Sequence, residues 1–104
     1  MRLAKIIEVG LRDGLQNERR ILSSHNKLHV INSLVRAGIN DIEITSFVNT
    51  KLLPQFEDNE HISRNVLNYV GVNYSALVPN EKGYFKLRDS GNIKEAVLFV
   101  SASE

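Results

Sequence analysis

Arg12 and Asp13 stand side by side between Gly10 and Gly14, directly after the apolar run "KIIEV" (5–9). A carboxylate is a hard oxygen ligand for Mg²⁺ or Mn²⁺, and an adjacent guanidinium can donate to an oxyanion, so the pair could hold a cation and a carbonyl together. The glycines let the backbone turn tightly around them. A plain turn would need only the glycines, although Asp-Gly alone is a common turn dipeptide. Two glutamates extend the constellation. In "DIEIT" (41–45) strand alternation puts Ile42 and Ile44 on one face and Glu43 with Thr45 on the other, and in "IIEV" Glu8 opposes Ile7 and Val9. If helices cover the outer face, both carboxylates point inward. Buried charges are unfavourable unless paired or metal-bound, so an internal cation is required, either a metal ion or an Arg, with Arg12 the nearest. Glu8, in mid-strand, fits a solvated face or a structural salt bridge; Glu43, near a strand's C-terminal end, fits a site.

The elements that must position these groups are legible. Apolar runs of strand length, rich in Val and Ile, fall at 5–9, 41–45, 74–78 and 95–100. Between the first two, Ser23 or Ser24 can cap a helix whose face carries Leu28, Ile31, Leu34 and Val35 and which stops at Gly38. A second helix is predicted from Pro54, with Phe56, Ile62, Val66 and Tyr69 facing the core. A third is predicted after Asn80, with Tyr84, Leu87 and Phe85 as its apolar face; Gly83 within it costs up to about 1 kcal/mol of propensity. Four strands alternating with three helices imply βαβ crossovers and a parallel α/β sheet, in which loops after the strands' C-terminal ends collect the chemistry. Arg12 and Asp13 lie in the first such loop. "AVLFV" reads as a fully buried strand and needs cover on both faces and both edges, so the chain is expected to be either an open sheet or the first half of a (β/α)8 barrel, truncated after its fourth strand.

At 104 residues and 42% hydrophobic content, the chain supports one domain, residues 1–104. Thirteen basic and twelve acidic residues, without a long run of either, argue against nucleic acid or an anionic membrane as partner. The absence of Cys excludes disulfides, thiolate metal sites and a thiol nucleophile within the chain. No apolar stretch reaches the length of a membrane span or signal peptide, and a cytoplasmic location is expected. His25 and His29 share a helical spacing that could clasp a metal, but no third ligand is evident and a solvated face is the reading favoured; His61 is expected on the exposed side of the second helix. Asn73-Tyr74-Ser75 matches a glycosylation triplet by chance within a strand.

The blocks "EVGLRDGLQNE", "IEITSFVNTKLLPQFED", "VPNEKGYFKL" and "EAVLFVSASE" together resemble, in register, the N-terminal segments of the 3-hydroxy-3-methylglutaryl-CoA lyases, metal-dependent (β/α)8 barrels of the DRE-TIM metallolyase group. Related Claisen-type synthases usually follow Arg-Asp-Gly with Glu-Gln, whereas Leu15-Gln16-Asn17-Glu18 is lyase-like, as is "TSFV" followed by a Lys and "PQ". Leu11, Asn49-Thr50 and Leu52 depart from the common Pro, Ser-Pro and Trp. The resemblance implies that Asp13 is a metal ligand, that Arg12 binds the thioester carbonyl and stabilises the enolate, that Glu43 lies near the substrate hydroxyl and the metal, and that Gln16 supports that shell. It implies retro-Claisen cleavage of an acyl-CoA to acetyl-CoA and acetoacetate with Mg²⁺ or Mn²⁺. The family's His-x-His pair, Asn ligand and loop Cys have no counterpart in this chain, so the chain alone is expected to be inactive and to bind metal at best in the millimolar range. The expected partners are an acyl-CoA substrate, a missing half-barrel or complementing chain, and a homo-oligomer through exposed edges. A non-catalytic remnant or interaction module, and a synthase or carboxyltransferase of the same superfamily, are the alternatives.

Overall fold

The computed structural model describes residues 7–15 and 20–98, apart from the side chains of Asp13, Ser90 and Leu98. A turn with π-type bonding, Gly10–Gly14, is followed by α1 (Ser24–Arg36), β1 (Asp41–Ser46), a 3-10 turn at Pro54–Phe56, α2 (Asn59–Asn65), β2 (Asn73–Val78), α3 (Glu81–Ser90) and β3 (Glu95–Leu98). The strands form one parallel sheet in the order β1-β2-β3. The α/β class is as expected, but the sheet described has three strands, not four. Of the expected strand at 5–9, residues 5–6 lie outside the described residues, and among the described ones Glu8 makes a single parallel bridge to Ile42, its N–H donating to the Asp41 carbonyl and its carbonyl accepting from the Glu43 N–H, each at 2.9 Å. Pairing ends there because Val9, at ψ 10°, has left the extended region to enter the turn. The last expected strand is described only to Leu98; its remainder, 99–100, lies outside the described residues.

Local chemistry sets the helix ends. Ser23 caps α1 by accepting from the Asn26 N–H at 3.1 Å, and Gly38, at φ 93°, provides the left-handed residue just beyond the helix. Asn80 caps α3 by accepting from the Gly83 N–H at 2.8 Å. The second helix departs from expectation: Pro54 begins only a 3-10 turn, α2 starts at Asn59, and Val66 is its C-cap, so Tyr69 lies beyond it. Asp58 stands at the N-cap, but its carboxylate is turned to α1, where it accepts from Ser24 and Lys27. Ile31, Ile42, Ile44, Phe47, Ile62, Val66, Ala76, Val78 and Leu87 form the continuous core. Both faces of β1 and β2 are buried, as suits strands of a parallel sheet.

The apolar face expected of α3 is corrected. Tyr84 and Phe85 are exposed, packing edge to face on each other, while Gly83 and Leu87 turn inward. Gly83 is there for proximity: a Cβ at this position would lie 2.7 Å from the Phe47 carbonyl oxygen. Gly83→Ala is therefore expected to destabilise the chain by about 1–3 kcal/mol, because the clash with backbone outweighs the roughly 1 kcal/mol gain in helix propensity. Urea unfolding of the variant checks this; a stabilised variant would contradict the close approach.

Tyr74, buried in β2, donates its hydroxyl to the Leu67 carbonyl at 2.7 Å. Burial, with a smaller contribution from Tyr69, pushes its pKa up to about 12. The unfolded phenol ionises near its ordinary value of about 10, so the folded state holds the proton longer. The resulting stability is complete below about pH 10 and is lost as pH rises toward 12. In alkaline denaturation series, Tyr74→Phe is expected to remove that part of the pH dependence.

Candidate functional site

The Gly10–Gly14 turn is closed by the Arg12 and Gly14 N–H groups, which both donate to the Val9 carbonyl, at 3.1 and 3.4 Å. The turn follows the Glu8 bridge and carries Arg12 back over β1. There the Arg12 Nε donates to Glu43 Oε1 at 2.6 Å, in an ion pair whose side chains are 12% and 3% exposed. The cation demanded by the inward-facing Glu43 is thus Arg12. At this burial a carboxylate depends on its partner, and a charge-assisted bond this short fixes the guanidinium in place.

The expected residues fall into three groups. Arg12 and Glu43 are brought together. Asp13 lies in the same turn by its backbone, with its side chain outside the described set, and Gln16 lies outside the described residues altogether. Glu8 does not join the pair; its carboxylate accepts from the Gly10 N–H at 2.8 Å and shapes the turn. His25, His29 and His61 are exposed. Among the described residues, no three His, Asp or Glu side chains gather as a metal site.

Sequence reasoning missed a polar cluster built around Lys27. Lys27, 2% exposed, extends from α1 to the Gln55 carbonyl and to Asp58 Oδ1 at 2.7 Å, while Ser24 donates to Asp58 Oδ2 at 2.6 Å. These bonds tie the segment after β1 to α1. The Asn59 side chain holds the end of β1 by donating to the Ser46 carbonyl at 3.1 Å. The only signal in sequence was Lys27 itself, on the flank of the apolar stripe. The hydroxyls of Thr45 and Ser46, beside Glu43 in β1, are buried without a hydrogen-bond partner among the described residues.

Parallel strands joined through helices, with an ion pair between the turn after Glu8 and β1, define an α/β protein. The family model described as HMGL-like matches residues 4–83, and the chain belongs to that family. It is 45% identical over 100 residues to the mitochondrial hydroxymethylglutaryl-CoA lyase of Homo sapiens, covering 96% of this chain and 30% of that protein. It is 46% identical over 99 residues to the hydroxymethylglutaryl-CoA lyase YngG of Bacillus subtilis, covering 95% of this chain and 33% of the relative. The crystal structure of the Bacillus subtilis HMG-CoA lyase superposes with a TM-score of 0.87 at 44% identity, covering all of this chain and 36% of that one. An Acinetobacter baumannii HMG-CoA lyase, solved with coenzyme A and 3-methylmalate, superposes with a TM-score of 0.87 at 34% identity, covering 93% of this chain and 32% of the other. The chain thus spans about a third of the length of these relatives. Among the described residues no helix is long and apolar enough to cross a membrane.

Proposed function

We propose that this chain is the opening part of a (β/α)8 lyase barrel and supplies the enolate-stabilising side of a site that cleaves a 3-hydroxy-3-methylglutaryl thioester to acetyl-CoA and acetoacetate. The observation that carries the reading is the Arg12–Glu43 ion pair, which holds a guanidinium, a group able to donate to a thioester oxyanion, in a fixed position. Loss of the hydroxyl proton starts the reaction. The carbon-carbon bond then breaks, its electron pair passes to the thioester as an enolate, and a proton returns to the enolate carbon. Arg12 is suited to bear the charge that builds on the thioester oxygen. Glu43 fixes the guanidinium and stands near the substrate hydroxyl, and Gln16 supports the same shell. Asp13 would contribute one oxygen to a divalent cation, which would polarise the substrate oxygens when bound. One carboxylate does not make such a site, and among the described residues no cluster of His, Asp or Glu side chains supplies the remaining ligands. Acyl-CoA substrate and complementing barrel segments are the partners this reading requires.

The test is a chimera in which residues 1–104 replace the matched part of the Bacillus subtilis lyase. Release of acetoacetate from hydroxymethylglutaryl-CoA is expected, with no condensation when pyruvate is the acceptor. A folded chimera without cleavage, or one that condenses pyruvate instead, would overturn the reading. Arg12→Gln in the chimera is expected to lower kcat by a factor on the order of 10²–10³, as loss of an oxyanion donor does.

A further inference from the structure

Gln55 is a long polar side chain in the 3-10 turn after β1, and it is only 8% exposed. Glutamine is ordinarily a surface residue, and burying its amide is costly unless the hydrogen bonds are used. Two directed contacts use them. The Gln55 backbone carbonyl accepts from the Lys27 ammonium, which is itself buried and rooted in α1. The side-chain Nε2 donates to the Leu15 carbonyl at 3.4 Å, across a sequence separation of 40 residues. The backbone that carries this side chain has little freedom of its own. Pro54 precedes it with a ring-locked φ, Phe56 follows it fully buried, and the Lys27 ammonium also lies 5.9 Å from the centre of the Phe56 ring. A donor on so fixed a base is presented at a set point. Leu15 closes the turn that carries Arg12: its N–H donates to the Arg12 carbonyl, and its side chain packs against the core. The contacts therefore run without a gap from Lys27 to Gln55, to Leu15, to Arg12 and on to Glu43. At its N-terminal end the turn is held by the Glu8 bridge and by the two bonds to the Val9 carbonyl. Gln55 grips the opposite end.

We propose that Gln55 is a positioning residue for Arg12: its amide pins the C-terminal end of the turn, so that the guanidinium is delivered onto Glu43 in one arrangement. The consequence for catalysis rests on the function proposed above. A guanidinium that stabilises an oxyanion is most effective when it need not reorganise as charge develops. Misplacement by about 1 Å can cost on the order of 10²-fold in rate. Gln55 acts through Arg12, so its loss is expected to lower kcat and to leave KM nearly unchanged.

The test compares Gln55→Met, which keeps the length of the side chain but has no donor, with Gln55→Asn, which keeps the amide and withdraws it by one methylene. Ile93→Val, a core truncation just before β3 and across the sheet from β1, controls for a general loss of stability. Overlaid ¹H–¹⁵N spectra show that each protein folds. In the 104-residue chain, both Gln55 variants are expected to speed exchange of the Leu15 amide proton and the Arg12 Nε proton by about fivefold, as loss of one hydrogen bond does, with Ile93→Val leaving both rates unchanged. In the chimera, Gln55→Met is expected to lower kcat on the order of tenfold at nearly constant KM. Arg12 Nε exchange that is unchanged in both Gln55 variants, or that rises as much in Ile93→Val, would overturn the positioning role. An unchanged kcat in the Gln55→Met chimera would overturn its part in catalysis. A chimera that fails to cleave with Gln55 in place, beside Gln55 variants that do speed Arg12 exchange, would overturn the lyase reading and uphold the positioning.

Discussion

Arg12→Ala is expected to destabilise the chain by about 3 kcal/mol, because it leaves the Glu43 carboxylate, 3% exposed, without the cation that faces it at 2.6 Å. The cost arises less from the lost attraction than from the charge left behind in a poorly solvated place. Glu43→Ala removes that charge along with the bond, and Arg12, being more exposed, can move toward water. The double variant Arg12→Ala/Glu43→Ala is therefore expected to be more stable than the sum of the single losses predicts, by about 1–3 kcal/mol. Urea unfolding of the four proteins closes the cycle. Simple additivity would mean that the pair is an incidental contact rather than the interaction that holds the turn against β1.

The second large effect belongs to Lys27. Lys27→Met preserves the length and apolar stem of the side chain while removing the ammonium that bonds the Gln55 carbonyl and Asp58. Asp58 keeps its bond from Ser24, so the expected loss is about 2–4 kcal/mol rather than that of a wholly orphaned charge. The location of the damage distinguishes this role from general core packing. Hydrogen exchange is expected to accelerate first in the segment from Asn49 to Asp58, with the amides of β2 retaining their protection. Uniform loss of protection across the sheet would contradict the view that Lys27 pins that segment.

These two positions also show where sequence reasoning reaches and where it stops. Arg12 and Glu43 could be paired in advance because alternation placed Glu43 on an inner face, and a carboxylate there demands a cation. Ser23, Gly38 and Asn80 marked helix ends because capping depends on neighbours within a few residues. Lys27 was illegible because its burial depends on Gln55 and Asp58, about thirty residues away, and a lysine beside an apolar stripe ordinarily reaches solvent. The role of Gly83 is illegible for a related reason. As a helix residue it is only a cost, and its value emerges once Phe47 is packed against it. Tyr84 and Phe85 read as part of the apolar face of α3 on hydrophobicity alone, although large aromatics can stack on each other and under Arg88 at the surface. Pro54 suited a helical first turn by its φ, but only a 3-10 turn follows it, where Lys27 occupies the Gln55 carbonyl that a longer helix would use.

The central assertion is that the turn after Glu8 delivers the Arg12 guanidinium onto Glu43. The most direct measurement is the exchange rate of the Arg12 Nε proton in the ¹⁵N-labelled chain, with and without Glu43→Gln. Slow exchange that becomes at least tenfold faster in the variant is the predicted result, as loss of a charge-assisted hydrogen bond requires. An Arg12 Nε proton that exchanges as fast as those of exposed arginines such as Arg64, and is indifferent to Glu43, would contradict the account.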